Sequence, residues 1–139
     1  MKIEKLSPDQ WHSFSEHAHK AVFSKLKPAH MDRIDYALLC VDDNATVLGY
    51  VTVREHDHET VYWQFGGCLD SARGTLKSFR ACQAFVDFQK KVSKRVTFLV
   101  ENTNAVMLKF AMKLGFKISG VRLFQGSVLV EHLLEFEGV

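Results

Sequence analysis

The sequence is poor in proline, glycine and cysteine, and each shortage excludes a class of protein. With 2 prolines and 8 glycines in 139 residues, the chain is neither a collagen-like rod nor a low-complexity linker. Its 3 cysteines are an odd number and include no Cys-x-x-Cys pair, so we expect reduced thiols and no disulfide framework. Hydrophobic residues make up 47% and charged residues 24%, which predicts one globular domain over residues 1–139.

The sequence also lacks a strong charge of one sign and a long apolar run. Lys and Arg number 18 and Asp and Glu 16, which gives a net charge of +2 and no basic stripe of the kind that binds nucleic acid. No segment approaches the roughly 18 apolar residues of a membrane helix, and Met1–Leu6 has no signal-peptide pattern. We therefore expect a cytoplasmic protein that binds neither nucleic acid nor membranes.

The spacing of apolar residues predicts elements in the order β-α-β-β-β-α-β-α-β-β. After a first strand, the predicted elements are a helix starting at Ser7, a short turn at Ala29–Arg33, strands over Tyr36–Val41, Val47–Arg54 and Thr60–Phe65, a helix over Thr75–Val92, a strand over Val96–Val100, a helix over Ala105–Leu114, and a hairpin of Phe116–Phe124 with Val128–Phe136. Short polar connectors predict antiparallel neighbours, whereas the apolar run Val96–Val100 predicts a parallel strand buried on both faces. The expected fold class is α/β (α+β), a mixed and mostly antiparallel sheet of about seven strands with helices on both faces.

The segment from residue 99 to residue 122 carries the most specific signal. A strand ends near Glu101, Asn104 opens a helix, and Lys113 to Phe116 closes it with the sequence Lys-Leu-Gly-Phe. This pattern resembles the C-terminal signature of the GNAT superfamily, the acyl-CoA-dependent N-acyltransferases. The matching positions are Asn104, Met107, Phe110, Lys113–Phe116 and Gly120–Arg122. The predicted order of elements is similar to that of the same family, over nearly the whole chain.

The resemblance implies a co-substrate, acetyl-CoA, and no metal. It implies that the acetyl group passes directly to a primary amine of a small molecule or a protein, with a homodimer left open. In this family a loop before a helix holds the pyrophosphate through backbone N–H groups, and an exposed strand edge pairs with the pantetheine arm. The cofactor-binding positions implied by the resemblance are Gly66, Cys68, Arg73, Gly74, Thr75, Lys77, Ser78 and Asn104.

Residues for acid and base catalysis follow from the same resemblance. The acceptor amine must lose a proton and the leaving thiolate must gain one. The family often uses a Glu on the fourth strand as base, and the nearest candidates here are Glu59 and Gln64, with Glu101 as another carboxylate at a strand end. The tyrosine that often serves as acid corresponds to Ala111, so this sequence departs from the family at that position.

Two alternatives to the enzyme remain open from the sequence. Leu76 and Ser78 replace small residues of the family's loop, and with Ala111 they favour a catalytically degenerate GNAT-like domain that acts as a binding or interaction module. His56 and His58 lie two residues apart on a predicted strand, which would suit a metal pair, although the spacing offers no third ligand. The paired glycines Gly66 and Gly67 mark either a β-bulge or a close approach of a ligand.

The remaining apolar residues are assigned to the core by their spacing. Free cysteines are commonly buried, so Cys40 and Cys82 are predicted to be core residues. The aromatic and methionine stripes are assigned likewise, and their members are Phe79, Phe85, Phe88, Met107 and Met112. Trp11, Trp63 and Phe124 either line an acceptor pocket or pack in the core.

Overall fold

The computed structural model of the chain describes residues 1–23, 33–57 and 59–136, with side chains described up to Ser15 in the first range. The turn predicted at 29–33 falls almost wholly outside these residues. The elements are β1 (Lys2–Leu6), α1 (Pro8–Phe23), β2 (Tyr36–Val41), β3 (Val47–Glu55), β4 (Thr60–Cys68), α2 (Leu76–Val92), β5 (Arg95–Glu101), α3 (Ala105–Lys113), β6 (Lys117–Phe124) and β7 (Ser127–Glu135). This order confirms the prediction, and β4 runs past its predicted end at Phe65.

The strands form one seven-stranded sheet in the order β1-β2-β3-β4-β5-β7-β6. All neighbouring strands are antiparallel except β4 and β5, which run parallel. Helix α2 connects these two strands, as a parallel pair requires a crossover. The predicted fold class, a mixed and mostly antiparallel sheet, is confirmed.

Helices cover both faces of the sheet, and each face has its own hydrophobic core. On one face, α2 contributes Ala81 and Phe85 and α3 contributes Ala111 to a core shared with β2, β3, β4 and β5. On the opposite face, Trp11 of α1 packs with residues of β2 and β3 such as Leu39 and Tyr50. None of the helices in the described ranges is long and apolar enough to cross a membrane.

The environment of β5 differs from the prediction. Val96, Phe98 and Val100 are buried, but the alternating residues Thr97 and Leu99 are partly exposed. The strand therefore buries only one face, the one that contributes Val96, Phe98 and Val100 to the core shared with α2 and α3. The assignment of Met112 to the core is also wrong, since 72% of this residue is exposed.

The glycines of β3 and β4 allow the two backbones to approach closely. A Cβ atom built at Gly49 would lie 2.8 Å from the carbonyl oxygen of Gly67, and one at Gly66 would lie 2.9 Å from that of Tyr50. Real Cβ atoms are not found at such distances from backbone atoms. The close contact between β3 and β4 therefore explains why these positions are glycine. The β-bulge of β4 lies elsewhere, at Gln64.

We expect Gly49→Ala to destabilise the fold. The added methyl group would meet the backbone of Gly67, and overpacking of this kind costs about 1–3 kcal/mol. Gly120→Ala is the matched control on the sheet edge, because its Cβ would meet only Glu131 atoms at 3.8 and 3.9 Å. The free energy of unfolding in urea should fall for Gly49→Ala and stay equal or rise by about 0.4–1 kcal/mol for Gly120→Ala. Equal stability of the two variants would contradict the close approach.

Candidate functional site

Strands β4 and β5 separate halfway along their length. Their parallel pairing comprises four residue pairs, from Thr60 with Arg95 to Trp63 with Phe98. Beyond these pairs β4 continues to Cys68 and β5 to Glu101 without pairing to each other. Each strand keeps its outer neighbour, because β4 stays paired with β3 and β5 with β7. The result is an opening within the sheet, which we call the split.

A β-bulge lies at the start of the split. On β3, Thr52 pairs with Phe65 and the next residue, Val53, pairs with Trp63. Gln64 is therefore an extra residue in β4. A bulge bends its strand and increases the local twist, and here it occurs at the first residue of β4 that no longer pairs with β5. The bend accounts for the separation of the two strands.

The backbone groups of two residues of β4 point into the split. The N–H of Phe65 bonds to Thr52 Oγ1 at 3.1 Å and the N–H of Leu69 bonds to the Leu48 carbonyl at 2.9 Å, both on the β3 side. Because successive residues of a strand direct their polar groups to opposite sides, those of Gly66 and Cys68 face away from β3. Both residues were predicted as cofactor-binding positions from the resemblance alone.

Aromatic rings form the closed end of the split on the α2 and α3 face. Trp63 and Phe98, the last pair of the parallel ladder, have ring centroids 6.1 Å apart. His132 of β7 stacks on Phe98 at 5.1 Å with an interplanar angle of 13°. Phe116, which follows α3, meets the same ring edge-on at 4.8 Å. These contacts fix the position at which the strands separate.

A buried amide fixes the orientation of Trp63. The indole Nε1 donates a hydrogen bond to Oε1 of Gln89 at 3.0 Å. The Nε2 of Gln89 donates to the hydroxyl of Tyr36 at 2.9 Å and to Ser93 Oγ at 3.0 Å. Gln89 is fully buried, and a buried amide is stable only when its polar atoms are paired. Burial raises the pKa of Tyr36, and the hydrogen bond from Gln89 opposes this.

The loop before α2 uses its hydroxyl groups internally. Thr75 Oγ1 donates to the carbonyl of Ala72 at 2.7 Å and accepts from the Lys77 N–H at 3.2 Å, so Thr75 is the N-cap of α2. Ser78 Oγ donates to the carbonyl of Thr75 at 2.7 Å. A hydroxyl has a single proton to donate. The hydroxyls of Thr75 and Ser78, two of the predicted cofactor-binding positions, therefore use their protons within the loop.

Two backbone N–H groups of this loop point out of the helix end. The N–H groups of Gly74 and Leu76 make no hydrogen bond to any residue in the described part of the chain. Gly74 has φ +76° and open space around its Cα, and Leu76 is 78% exposed at the first position of α2. The leucine side chain therefore stands in solvent. The N-terminus of a helix carries a partial positive charge that attracts anions.

The two cations of the loop pair with one exposed carboxylate, Asp70, and one partly buried carboxylate, Asp42. Arg73 Nη2 donates to the carbonyl of Cys68 at 3.0 Å, and its Nη1 lies 3.5 Å from Asp70. Lys77 Nζ lies 3.9 Å from Asp42. Backbone N–H groups of Thr46 and Asn44, together with the Lys77 charge, lower the pKa of Asp42.

Asn104 organises the other side of the split. Its Oδ1 accepts a hydrogen bond from the Met107 N–H at 3.2 Å, which makes it the N-cap of α3. Its own N–H donates to the carbonyl of Glu101 at 2.9 Å. Helices α3 and α2 meet through the rings of Phe110 and Phe79, whose centroids are 5.5 Å apart. The sequence predicted Asn104 as a helix start, and this is confirmed.

Of the three predicted catalytic residues, Glu101 and Gln64 lie along the split and Glu59 lies away from it. Glu101 is exposed at the end of β5, and Gln64 is partly buried at the start of the split. Glu59 lies before β4, at the opposite end of the strand and roughly 13 Å from Trp63. It accepts from Lys94 Nζ at 3.1 Å and Arg95 Nη1 at 3.3 Å, so its role is an ion pair that joins the starts of β4 and β5.

The position of the missing tyrosine is part of the core. Ala111 is fully buried in the core under α3, and its methyl side chain has no proton to donate.

The thiol of Cys68, which faces α2, is in contact with that of Cys82. Their hydrogen bond lowers the pKa of Cys68 and raises that of Cys82. Cys40 is fully buried, as predicted, whereas Cys82 is only partly buried.

The structure describes one member of the histidine pair. His58 lies outside the described residues, and His56 stacks on Tyr62 with centroids 5.6 Å apart. Within the described ranges no three His, Cys, Asp or Glu residues are grouped to hold a metal ion. His56 and Tyr62 instead line a cavity of about 110 Å³, on the face opposite α2 and α3. Its other lining residues are Thr97, Leu99, Arg122 and Glu131.

Comparisons with known proteins identify the fold. No protein-family model matches the chain, and no curated protein matches it. Among solved structures, a chimera of the Vibrio cholerae spermidine N-acetyltransferase SpeG and hSSAT gives a TM-score of 0.76 at 11% identity, over 97% of this chain and 96% of that one. The chain has the GNAT fold.

Two further structures agree with this assignment. Arabidopsis thaliana NAA60 in complex with acetyl-CoA gives a TM-score of 0.69 at 13% identity, over 96% of this chain and 98% of that one. A GNAT acetyltransferase from Bacillus cereus gives 0.73 at 14% identity, over 96% of each chain. At identities this low, the structural similarity establishes the GNAT fold alone.

Sequence reasoning missed three buried polar residues at the split. Thr52, Gln89 and His132 are each at most 1% exposed and belong to no motif of the GNAT family used above. Their signal in the sequence is only that each interrupts an apolar pattern on a strand or helix. Such an interruption is usually a surface residue, so only the structure distinguishes them.

We expect His132 to make the fold sensitive to acid. Burial lowers the pKa of His132 below its ordinary value of 6.5, so the unfolded chain binds this proton more tightly than the folded one. Its contribution to stability is therefore complete above about pH 6.5 and is lost as the pH falls. Urea unfolding at pH 7.5 and 5.5 should show a smaller loss of stability for His132→Phe, which keeps an aromatic ring on Phe98, than for the wild type. An identical loss in both proteins would contradict this assignment.

Proposed function

We propose that the chain is an acetyl-CoA-dependent N-acetyltransferase that transfers an acetyl group directly to a primary amine. The observation that carries the proposal is the split between β4 and β5, with the backbone groups of Gly66 and Cys68 facing into it. An extended, amide-containing arm pairs with such an edge as a further strand would. The N-terminus of α2 follows β4 in the chain after one loop. A phosphate group attached to the arm could therefore bind at this helix N-terminus.

The loop residues suit a pyrophosphate through their backbone and their charges. The N–H groups of Gly74 and Leu76 are free of hydrogen bonds to the described residues, and an anion at a helix N-terminus is stabilised by them. Arg73 and Lys77 are about half exposed in their ion pairs. Exposed pairs contribute only about 0–1 kcal/mol, so phosphate oxygens compete with Asp70 and Asp42 for these cations.

The residues around the split divide the chemistry between them. Bound acetyl-CoA would supply the activated acetyl group as a thioester. The Glu101 carboxylate is the base that we propose for the acceptor ammonium, because it ends β5 beside the split. Gln64 cannot take a proton near neutral pH, but its amide can orient a polar group. The absence of an acid at Ala111 is tolerable, since a thiol has a pKa of about 8.5, so the coenzyme A thiolate can leave as an anion and take its proton from water.

The acceptor amine approaches from the face of the sheet that carries α1, in our proposal. The cavity beside Leu99 opens on that face and contains the Glu131 carboxylate, which Arg122 holds at 3.0 Å and Ser119 at 2.9 Å. Neighbouring folds include an enzyme named for spermidine, a primary amine. A small-molecule or protein amine fits the same chemistry here. A homodimer and a cytoplasmic location stay predictions from the sequence.

We expect the purified chain to bind acetyl-CoA at a single site with a dissociation constant below 1 mM. Charge-assisted hydrogen bonds are worth about 1.5–3 kcal/mol, so Lys77→Ala should weaken binding about 10- to 100-fold. Lys91→Ala, an exposed residue in the last turn of α2, is the matched control. Isothermal titration calorimetry measures the dissociation constants of the wild type, Lys77→Ala and Lys91→Ala. No heat of binding at millimolar acetyl-CoA would remove the enzymatic proposal.

We expect Glu101→Gln to lower kcat while the affinity for acetyl-CoA is kept. Loss of a general base reduces the rate about 10²–10⁴-fold. Glu59→Gln should retain kcat, because Glu59 is ion-paired at the far end of β4. The rate is measured as the release of the free coenzyme A thiol. The acceptors offered are spermidine and short peptides that have a free amino group. Acetyl-CoA binding without turnover of any amine would favour the catalytically degenerate binding module instead.

A further inference from the structure

Thr52 of β3 makes two hydrogen bonds to the strand that forms one wall of the split. Its Oγ1 accepts from the N–H of Phe65 at 3.1 Å and donates to the carbonyl of Phe65 at 3.4 Å. Thr52 is 1% exposed and pairs directly with Phe65, the first residue after the bulge. One buried hydroxyl thus engages both backbone polar groups of Phe65, the residue that follows the bulge.

We propose that Thr52 is a positioning residue, which holds the bulge at Gln64 and so keeps the acetyl-CoA edge of β4 turned toward the split. This inference rests on the proposed function. Bulges disrupt the ladder of hydrogen bonds between strands, and a side-chain hydroxyl inserted at that point compensates the disruption. Thr52 acts through the backbone of Phe65 and has no contact with the reacting groups.

The register of β4 explains why one hydroxyl has this effect. If the bulge were lost, every residue of β4 after Trp63 would shift by one position against β3, and a shift of one residue exchanges the two faces of a strand. The backbone groups of Gly66 and Cys68, which now face the split, would exchange sides with those of Phe65 and Gly67. The edge that we propose for the pantetheine arm would then point at β3.

The two residues that flank Thr52 on β3 carry no hydroxyl. Val51 and Val53, which flank Thr52 on β3, are apolar and belong to the core under α2. On β4, Trp63 bonds to Gln89 on the opposite side of the sheet. Among the described residues of β3, Thr52 is therefore the one whose side chain bonds to the β4 backbone beside the bulge.

The test compares Thr52→Val, which keeps the shape and removes the hydroxyl, with Thr52→Ser, which keeps the hydroxyl. We expect Thr52→Val to weaken acetyl-CoA binding at least tenfold and Thr52→Ser to stay within threefold of the wild type. Leu38→Val, in the core on β2 and away from β4, controls for lowered stability alone. Leu38→Val should bind acetyl-CoA as tightly as the wild type, even where its urea unfolding midpoint falls as far as that of Thr52→Val. Wild-type affinity in Thr52→Val would overturn the proposal, as would an equal loss in Leu38→Val.

Hydrogen exchange separates this proposal from the proposed function. In the chain without acetyl-CoA, Thr52→Val should speed exchange of the Phe65 amide, which bonds to Thr52 Oγ1, more than tenfold, with the Val61 and Trp63 amides unchanged. If the wild type binds no acetyl-CoA but exchange responds in this way, the function fails and the positioning role stands. Uniform or unchanged exchange overturns the positioning role. If Thr52→Val does not fold, Thr52→Cys, with a weakly bonding thiol of similar size, replaces it under the same criteria.

Discussion

The site depends on unequal pairing along the two edges of β4. On one edge, β3 holds the strand along nearly its whole length, through a bulge and two glycine contacts. On the other edge, β5 holds it for four pairs only. The bulge turns the strand at the last of these pairs, so the sheet opens without losing its continuity through β3 and β7. An opening of this kind exposes strand backbone that would otherwise be buried in a ladder.

Two kinds of polar residue surround the split. Buried ones make hydrogen bonds within the fold, and charged ones form ion pairs near the surface. Gln89 and Thr52 are buried and fully engaged with neighbouring strands, which fixes the end of the split where β4 and β5 still pair. Arg73 and Lys77, each about half exposed, pair with the exposed Asp70 and the partly buried Asp42, and in the proposed site an anion would compete for both cations. The arrangement combines a rigid frame with cations that can exchange partners, as a site for a polyanionic ligand requires.

The departures from the GNAT signature become explicable in the structure. Leu76 replaces a small residue of the loop but stands in solvent at the start of α2, so its bulk does not fill the helix end. Ser78 turns its hydroxyl inward to the loop backbone, leaving anion recognition to N–H groups. Ala111 fits the core beneath α3. The proposed transfer would therefore rely on positioning and one carboxylate, since proximity alone accounts for much of the rate of such transfers.

The sequence by itself determined the order of the elements, the cap at Asn104 and the parallel crossover, because hydrophobic period and capping residues are local signals. The resemblance to the GNAT family, and not a local pattern, pointed to Gly66 and Cys68 as cofactor-binding positions. Only the tertiary structure decided where the bulge falls, which carboxylate lies beside the split and which hydroxyls are already engaged. These depend on residues far apart in the chain, such as Thr52 with Phe65 and Trp63 with Gln89. No local pattern records a contact that forms only when β3, β4 and α2 pack together.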